Sequence, residues 1–205
     1  MPSSPANTFN NLMITKDNVA GATYTCTLNN DLTINGDLIL SNTQNAGTNA
    51  LNIGNNATVR TIIIYGSLKN SAGCSLGVSA FNVLHNLTIF GDLINSGTID
   101  LNNNAANAAN TQGAARITFK GATNNIVSIN ATTAFYDFWI DKGVDQTPIL
   151  EVFSTSPVAP FQGYSSPKYS INLVSGTLKL GTNINVPLVV SGGNFDISTN
   201  SNNKA

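Results

Sequence analysis

Ten acidic and nine basic residues carry all the charge in 205 residues. Chemistry by proton transfer or metal binding therefore has few places to sit. The densest cluster is Asp137, Asp141, Lys142, Asp145 and Glu151. A polysaccharide lyase would need a Lys or Arg base beside carboxylates that hold calcium. A glycoside hydrolase would need two carboxyl groups facing each other across the sugar, roughly 5 to 9.5 Å apart. Asp137 and Asp141 share the outward parity of one strand, which sets their Cα atoms roughly 13 Å apart, long for a direct pair. The Asp-Asp dyad, the Gly-His-Gly and the Arg-x-Lys of solenoid glycosidases are all missing. Asp137, Asp141 and Asp145 do not have the spacing of a calcium loop. The cluster reads first as a solvated face. The expectation is a non-catalytic protein with no cofactor and no metal.

Within that cluster Trp139 stands out. Alternation puts Tyr136, Phe138 and Ile140 inward and Trp139 outward, between Asp137 and Asp141. An outward indole flanked by carboxylates can stack on a sugar ring and bond its hydroxyls, so Asp137, Trp139 and Asp141 are the candidate glycan-binding residues. The competing expectation, ranked ahead of it, packs Trp139 under the proline-rich loop Ser154–Ser170 as a satellite cluster. The single histidine, His85, cannot make a multi-histidine metal site. No nucleophile motif accompanies it, and it is read as an outward surface residue. Cys26 and Cys74 could pair in an oxidising compartment. They fall at different phases of the repeat, which favours two small buried residues.

The elements that must position these residues are repeats. Leu32-Thr33-Ile34-Asn35-Gly36-Asp37-Leu38-Ile39-Leu40 returns as Ile62 to Leu68 and as Leu87 to Ile94. Weaker copies run from Ile117 to Gly121 and from Leu173 to Leu180. A second pattern, Phe9-Asn10-Asn11-Leu12-Met13-Ile14-Thr15-Lys16, matches Phe135 to Lys142. With Ile14, Ile34, Ile64, Ile89, Phe119, Ile140 and Val174 as anchors, the intervals are 20, 30, 25, 30, 21 and 34 residues. Their mean, about 27, suits one turn of a solenoid. The phase of the last anchor is open, because Ser175 to Leu180 also matches Ser96 to Leu101. Segments 102–112 and 154–170 read as insertions that leave the strand phase intact. Within each copy the period is two, the mark of a half-buried strand. The central Gly marks a bend or a close backbone approach. Helical periodicity is nearly absent.

These features predict an all-β chain forming one right-handed parallel β-helix of about six to seven turns over residues 1–205. An antiparallel β-sandwich is the alternative. Composition agrees. Only 9% of residues are charged, while Asn, Thr and Ser number 32, 22 and 18. Amides and hydroxyls can bond to neighbouring backbone at bends and stack on like residues in the next turn. Like charges stacked at roughly 4.8 Å would repel. The same composition argues against several functions. No basic stripe offers a nucleic-acid footprint, and no apolar run is long enough for membrane insertion. Hydrophobic content of 41% argues against disorder. Ice binding would need an outward Thr ladder, and Asn35, Tyr65, Phe90, Lys120 and Ser175 form none.

The Phe-x-Asn-Leu-x-Ile-x-Lys and Leu-x-Ile-x-Gly-Asp-Leu patterns, with Ser175 to Ile184, resemble the repeats of very large secreted proteins of the Bacteroidota. The resemblance spans about Phe9 to Ile197 and rests on short motifs. It departs at Asp137 and Trp139, where Asn and a small polar residue are usual, and it carries over no catalytic residue. It implies an extracellular or cell-surface setting and export by the type IX secretion route. The chain would then be an internal fragment of a larger protein, since Met-Pro-Ser-Ser-Pro is not a signal peptide. The expected function is a structural or adhesive segment whose partners are neighbouring domains of the same protein and extracellular polysaccharide. A polysaccharide-binding or polysaccharide-active β-helix is the alternative.

Overall fold

The computed structural model describes residues 7–16, 21–43, 47–102, 113–161 and 171–186, and the backbone of Ile197–Thr199. Alternating apolar residues fold into short strands that follow one another around successive turns. The first turn holds β1 (Asn7–Phe9), β2 (Leu12–Lys16) and β3 (Tyr24–Leu28). The second holds β4 (Leu32–Ile34), β5 (Leu38–Asn42) and β6 (Asn49–Ile53), and the third β7 (Thr61–Ile64), β8 (Leu68–Asn70) and β9 (Cys74–Val78). The fourth holds β10 (Leu84–Ile89), β11 (Leu93–Asn95) and β12 (Thr98–Asp100), and the fifth β13 (Ala114–Lys120), β14 (Asn125–Ile129) and β15 (Thr133–Ala134). The sixth holds β16 (Asp137–Asp141) and β17 (Ile149–Ser154), and the seventh β18 (Ile171–Ser175) and β19 (Thr177–Leu180). β20 (Ile197–Thr199) adds an eighth strand to the first sheet.

Each strand pairs in parallel with its counterparts in the neighbouring turns. The result is one sheet in the order β1-β4-β7-β10-β13-β16-β18-β20, a second in the order β2-β5-β8-β11-β14-β17-β19, and a third in the order β3-β6-β9-β12-β15. The chain is a right-handed parallel β-helix, the hand that crossovers between parallel strands take. The antiparallel alternative is excluded, because among the described residues every pairing between strands is parallel, the isolated bridge between Asn102 and Ala114 alone being antiparallel.

The core is a set of inward columns. Ile34, Ile64, Ile89, Phe119 and Ile140 lie over one another in the first sheet, each with no exposed surface. Leu38, Leu68, Leu93, Val127 and Val152 do the same in the second. A fully buried side chain of this size contributes about 1.5–3 kcal/mol, so the columns dominate the stability of the fold. Phe138 fills the wider sixth turn by packing against Phe119, Phe135 and Phe161, with ring centroids 5.3, 5.1 and 5.1 Å away.

Two expected anchors shift. Phe9, not Ile14, pairs with Ile34. Ile14 belongs to the second sheet, over Leu40. The second pattern therefore does not mark equivalent positions, since Leu12–Lys16 and Asp137–Asp141 lie in different sheets. Both sheets have period two, so alternation cannot tell them apart. At the other end Ile140 pairs with Leu173 and Asp141 with Ser175. Val174 is the extra residue of a bulge. Ser175 to Leu180 continues the main pattern into the second sheet as β19, rather than repeating β12 of the third.

The repeated glycines sit at the corner between the first two sheets, where the backbone of one turn rests on the next. Gly66 N–H donates to the Gly36 carbonyl and Gly91 N–H to that of Gly66, each at 2.9 Å. A Cβ on Gly66 or Gly91 would stand 2.5 Å from backbone atoms of the preceding turn. Side chains beside the glycines continue the column. Asn11 Oδ1 accepts Asp37 N–H, Asp37 Oδ1 accepts Ser67 N–H, Ser67 Oγ accepts Asp92 N–H, and Asp92 Oδ1 accepts Ile126 N–H. Near the opposite corner Asn70 Nδ2 donates to Asn95 Oδ1 at 2.7 Å, and Asn95 Nδ2 to Thr133 Oγ1 at 2.8 Å. The amide N–H groups of this column are bonded along the helix axis, which suits the abundance of amides, while Asn70 Oδ1 is buried without a partner. Of the two expected insertions, only Asn102 and residues 154–161 fall within the described residues.

Candidate functional site

The strongest concentration of polar contacts lies on the outward face of the first sheet, across β13, β16 and β18. Parallel register sets Arg116 beside Asp137, Thr118 beside Trp139 and Lys120 beside Asp141, with Asn172 beside Trp139 in the next turn. Asp137 is buried and its carboxylate is fully engaged. Oδ2 accepts from Arg116 Nε at 2.7 Å, and Oδ1 accepts from Trp139 Nε1 at 2.6 Å and from Asn172 Nδ2 at 2.9 Å. Burial raises the Asp137 pKa, and the Arg116 guanidinium, Trp139 and Asn172 oppose the rise. The Arg116 guanidinium lies 4.4 Å above the Trp139 ring, a cation–π contact. Asp141 is half-buried, its Oδ2 paired with Lys120 Nζ at 2.8 Å and its Oδ1 accepting from Ser175 Oγ at 3.3 Å.

Asp137, Trp139 and Asp141 thus share one face, as expected, but their polar atoms are already bonded, those of the two carboxylates to adjacent turns and that of Trp139 to Asp137. The indole N–H is spent on Asp137 and one ring face is stacked under Arg116. A sugar would have to meet the remaining part of the half-buried Trp139. Residues 162–170 of the proline-rich loop expected above Trp139 lie outside the described residues.

All four ion pairs among the described residues join consecutive turns: Asp37–Lys69, Arg116–Asp137, Lys120–Asp141 and Glu151–Lys179. Opposite charges are stacked where like charges would repel. The Lys69 ammonium and the Ser67 N–H together hold the Asp37 carboxyl below its ordinary value.

His85 is a correction. It is fully buried and faces inward with Leu87 and Ile89. His85, Leu87 and Ile89 share one parity, so the outward expectation misread the alternation. Its Nδ1 accepts the Arg60 N–H at 3.0 Å, while Nε2 has no hydrogen-bond partner. It fits because Gly54 lacks a Cβ, which would stand 2.6 Å from the imidazole Cε1. Burial, and secondarily Arg60, lowers its pKa, so the imidazole is neutral. Cys26 and Cys74 are free thiols. Both lie in the third sheet, where Cys26 pairs with Leu51 and Cys74 with Asn49, and burial raises both thiol pKa values.

Lys142 follows β16 at the corner leading to β17, and its side chain is fully buried. Its Nζ donates to Asn125 Oδ1 at 2.6 Å and to the Lys120 carbonyl at 3.2 Å. The sequence marks Lys142 only as part of a charged cluster. Its burial comes from the lengthened corner after Ile140, which folds the side chain against Asn125 of the preceding turn. Among the described residues no group of three or more His, Cys, Asp or Glu side chains could hold a metal ion, and no helix is long and apolar enough to cross a membrane.

Fold and face together define a parallel β-solenoid whose turns are tied by side-chain columns running along the axis. Comparison with protein-family models, curated proteins and solved structures found no match.

Proposed function

We propose that this chain is a non-catalytic structural segment of a large extracellular bacterial surface protein, a spacer with an adhesive role. The observation that supports this best is the disposition of the polar groups. Carboxylates, amides and hydroxyls that would face a substrate in an enzyme are instead bonded from turn to turn, at Asp37, Asp92, Asn95, Asp137 and Asp141. The resemblance to Bacteroidota repeats supports secretion, with type IX export, and gives neighbouring domains of the same protein as partners. The first turn supports that partnership, because Phe9, Met13 and Tyr24 expose apolar surface on it.

Polysaccharide binding is the second reading. Tyr65 and Phe90 favour it. Their rings stack at 4.8 Å on the outward face of the first sheet, and Tyr65 is half exposed. A glycan array read with and without calcium, followed by a turnover assay on any hit, separates the two. The structural and adhesive reading predicts no cleavage with or without calcium. Calcium-dependent cleavage overturns it, and retention abolished by Tyr65→Ala or Trp139→Ala in a folded variant would make glycan binding at that face the function instead of spacing.

A further inference from the structure

A buried lysine normally meets a carboxylate. Lys142 does not: its ammonium takes part in none of the four ion pairs among the described residues. It points at an amide instead. Asn125 Oδ1 accepts from Lys142 Nζ at 2.6 Å, and Asn125 Nδ2 donates to Asp92 Oδ1 at 3.2 Å. The carbonyl end of the amide faces an amine, and the nitrogen end faces a carboxylate. We propose that Lys142 and Asn125 form an intramolecular isopeptide bond, with Asp92 as the proton-transferring group.

The geometry meets two needs of that reaction, an amine on the carbonyl and a carboxylate on the leaving nitrogen. A carbonyl bond of about 1.2 Å puts Asn125 Cγ no more than about 3.8 Å from Nζ. That range spans the ~3–3.5 Å of a near-attack arrangement. Burial lowers the Lys142 pKa, with Asp92 opposing, which raises the share of neutral amine, the nucleophilic form.

The step balances without an external reagent. Neutral Lys142 Nζ adds to Asn125 Cγ. One proton leaves Nζ and reaches Nδ2, which Asp92 Oδ1 already holds at 3.2 Å; closing of Nζ on Cγ brings the amine proton toward that carboxylate, which ends as it began. The Cγ–Nδ2 bond breaks and ammonia departs. The Nζ–Cγ bond remains as a secondary amide, with nothing oxidised or reduced. The cross-link closes a span of 17 residues and joins the fifth turn to the sixth beside the Asp92 column. Its role would suit a segment under load, though the chemistry stands independently of the proposed function.

Mass spectrometry of the purified, folded full chain tests the proposal. The expected mass is that of the sequence less one ammonia. After denaturation, trypsin should fail to cut at the acylated Lys142, leaving residues 121–168 as one looped peptide whose fragment ions join Asn125 to Lys142. Lys142→Arg and Asn125→Ala should each restore the sequence mass. Asp92→Ala, checked by circular dichroism for folding, should slow bond formation on the order of 100-fold, the usual contribution of a positioned proton carrier. A full sequence mass after prolonged incubation of the folded chain overturns the proposal. So does ammonia loss at another asparagine with Lys142 still cleaved. Unslowed bond formation in Asp92→Ala overturns the role of Asp92.

Discussion

His85 is the residue whose burial has the clearest consequence in solution. Its pKa is lowered from 6.5 in the fold, first by burial and then by Arg60. The unfolded chain therefore binds more protons than the folded one once the pH falls below about 6.5, and stability drops from there downward. Thermal melts across pH 7.5 to 5 should show this loss, and His85→Leu should flatten it. An unchanged slope in that variant would place the acid sensitivity elsewhere. Arg116 gives a second expectation. Removing it by Arg116→Ala leaves the buried Asp137 carboxylate with only Trp139 and Asn172 as donors, which should cost about 2–3 kcal/mol in urea denaturation, below the full penalty of a stranded buried charge. A cost near zero would mean that the half-exposed guanidinium contributes packing and little else. At this scale the sequence was informative about which residues share a face, because Asp137, Trp139 and Asp141 follow from alternation alone. It could not show that Asp137 is saturated, since Arg116 and Asn172 arrive from other turns. The inward placement of His85 was legible from its parity with Leu87, whereas the burial of Lys142 depends on a corner that keeps no period.

Strands and corners obey different constraints. Alternation sets each strand's inward face, and the glycine column sets how closely one corner rests on the next. Gly91→Val should therefore destabilise the fold by several kcal/mol, in the range of other severe overpacking changes, about 1–3 or more. The backbone of Gly66 and Ser67 lies where the new Cβ must go, and no side-chain rotation relieves it. A denaturation midpoint equal to that of the parent chain would contradict the close approach. The strand patterns and the corner glycines could be read directly from the chain. Register could not be read at either end. Phe9 and Ile14 both lie on alternating segments, and only pairing shows that Phe9 holds the place of Ile34. The bulge at Val174 hides in the same way, because one extra residue leaves the local pattern of apolar side chains almost intact.

For the whole molecule, a small charge count and a surplus of amides now have one physical cause. Parallel stacking brings like positions together, so amides and hydroxyls bond along the axis and, among the described residues, eight of the charged side chains stand as four opposite pairs on consecutive turns. Contacts of this kind couple turns that a solenoid of independent repeats would leave to nearest-neighbour packing. The asparagine column from Asn70 to Thr133 and the corner column from Asn11 to Ile126 each cross several turns. A spacer needs that coupling, because a segment whose turns open separately cannot hold two neighbours at a fixed distance. Native-state hydrogen exchange, read by mass spectrometry on the intact chain, measures it directly. The account predicts that the amides of β7, β8, β10, β11 and β13 exchange together, at the free energy of global unfolding. Separate protection levels for individual turns, or a sheet that opens ahead of the other two, would contradict it.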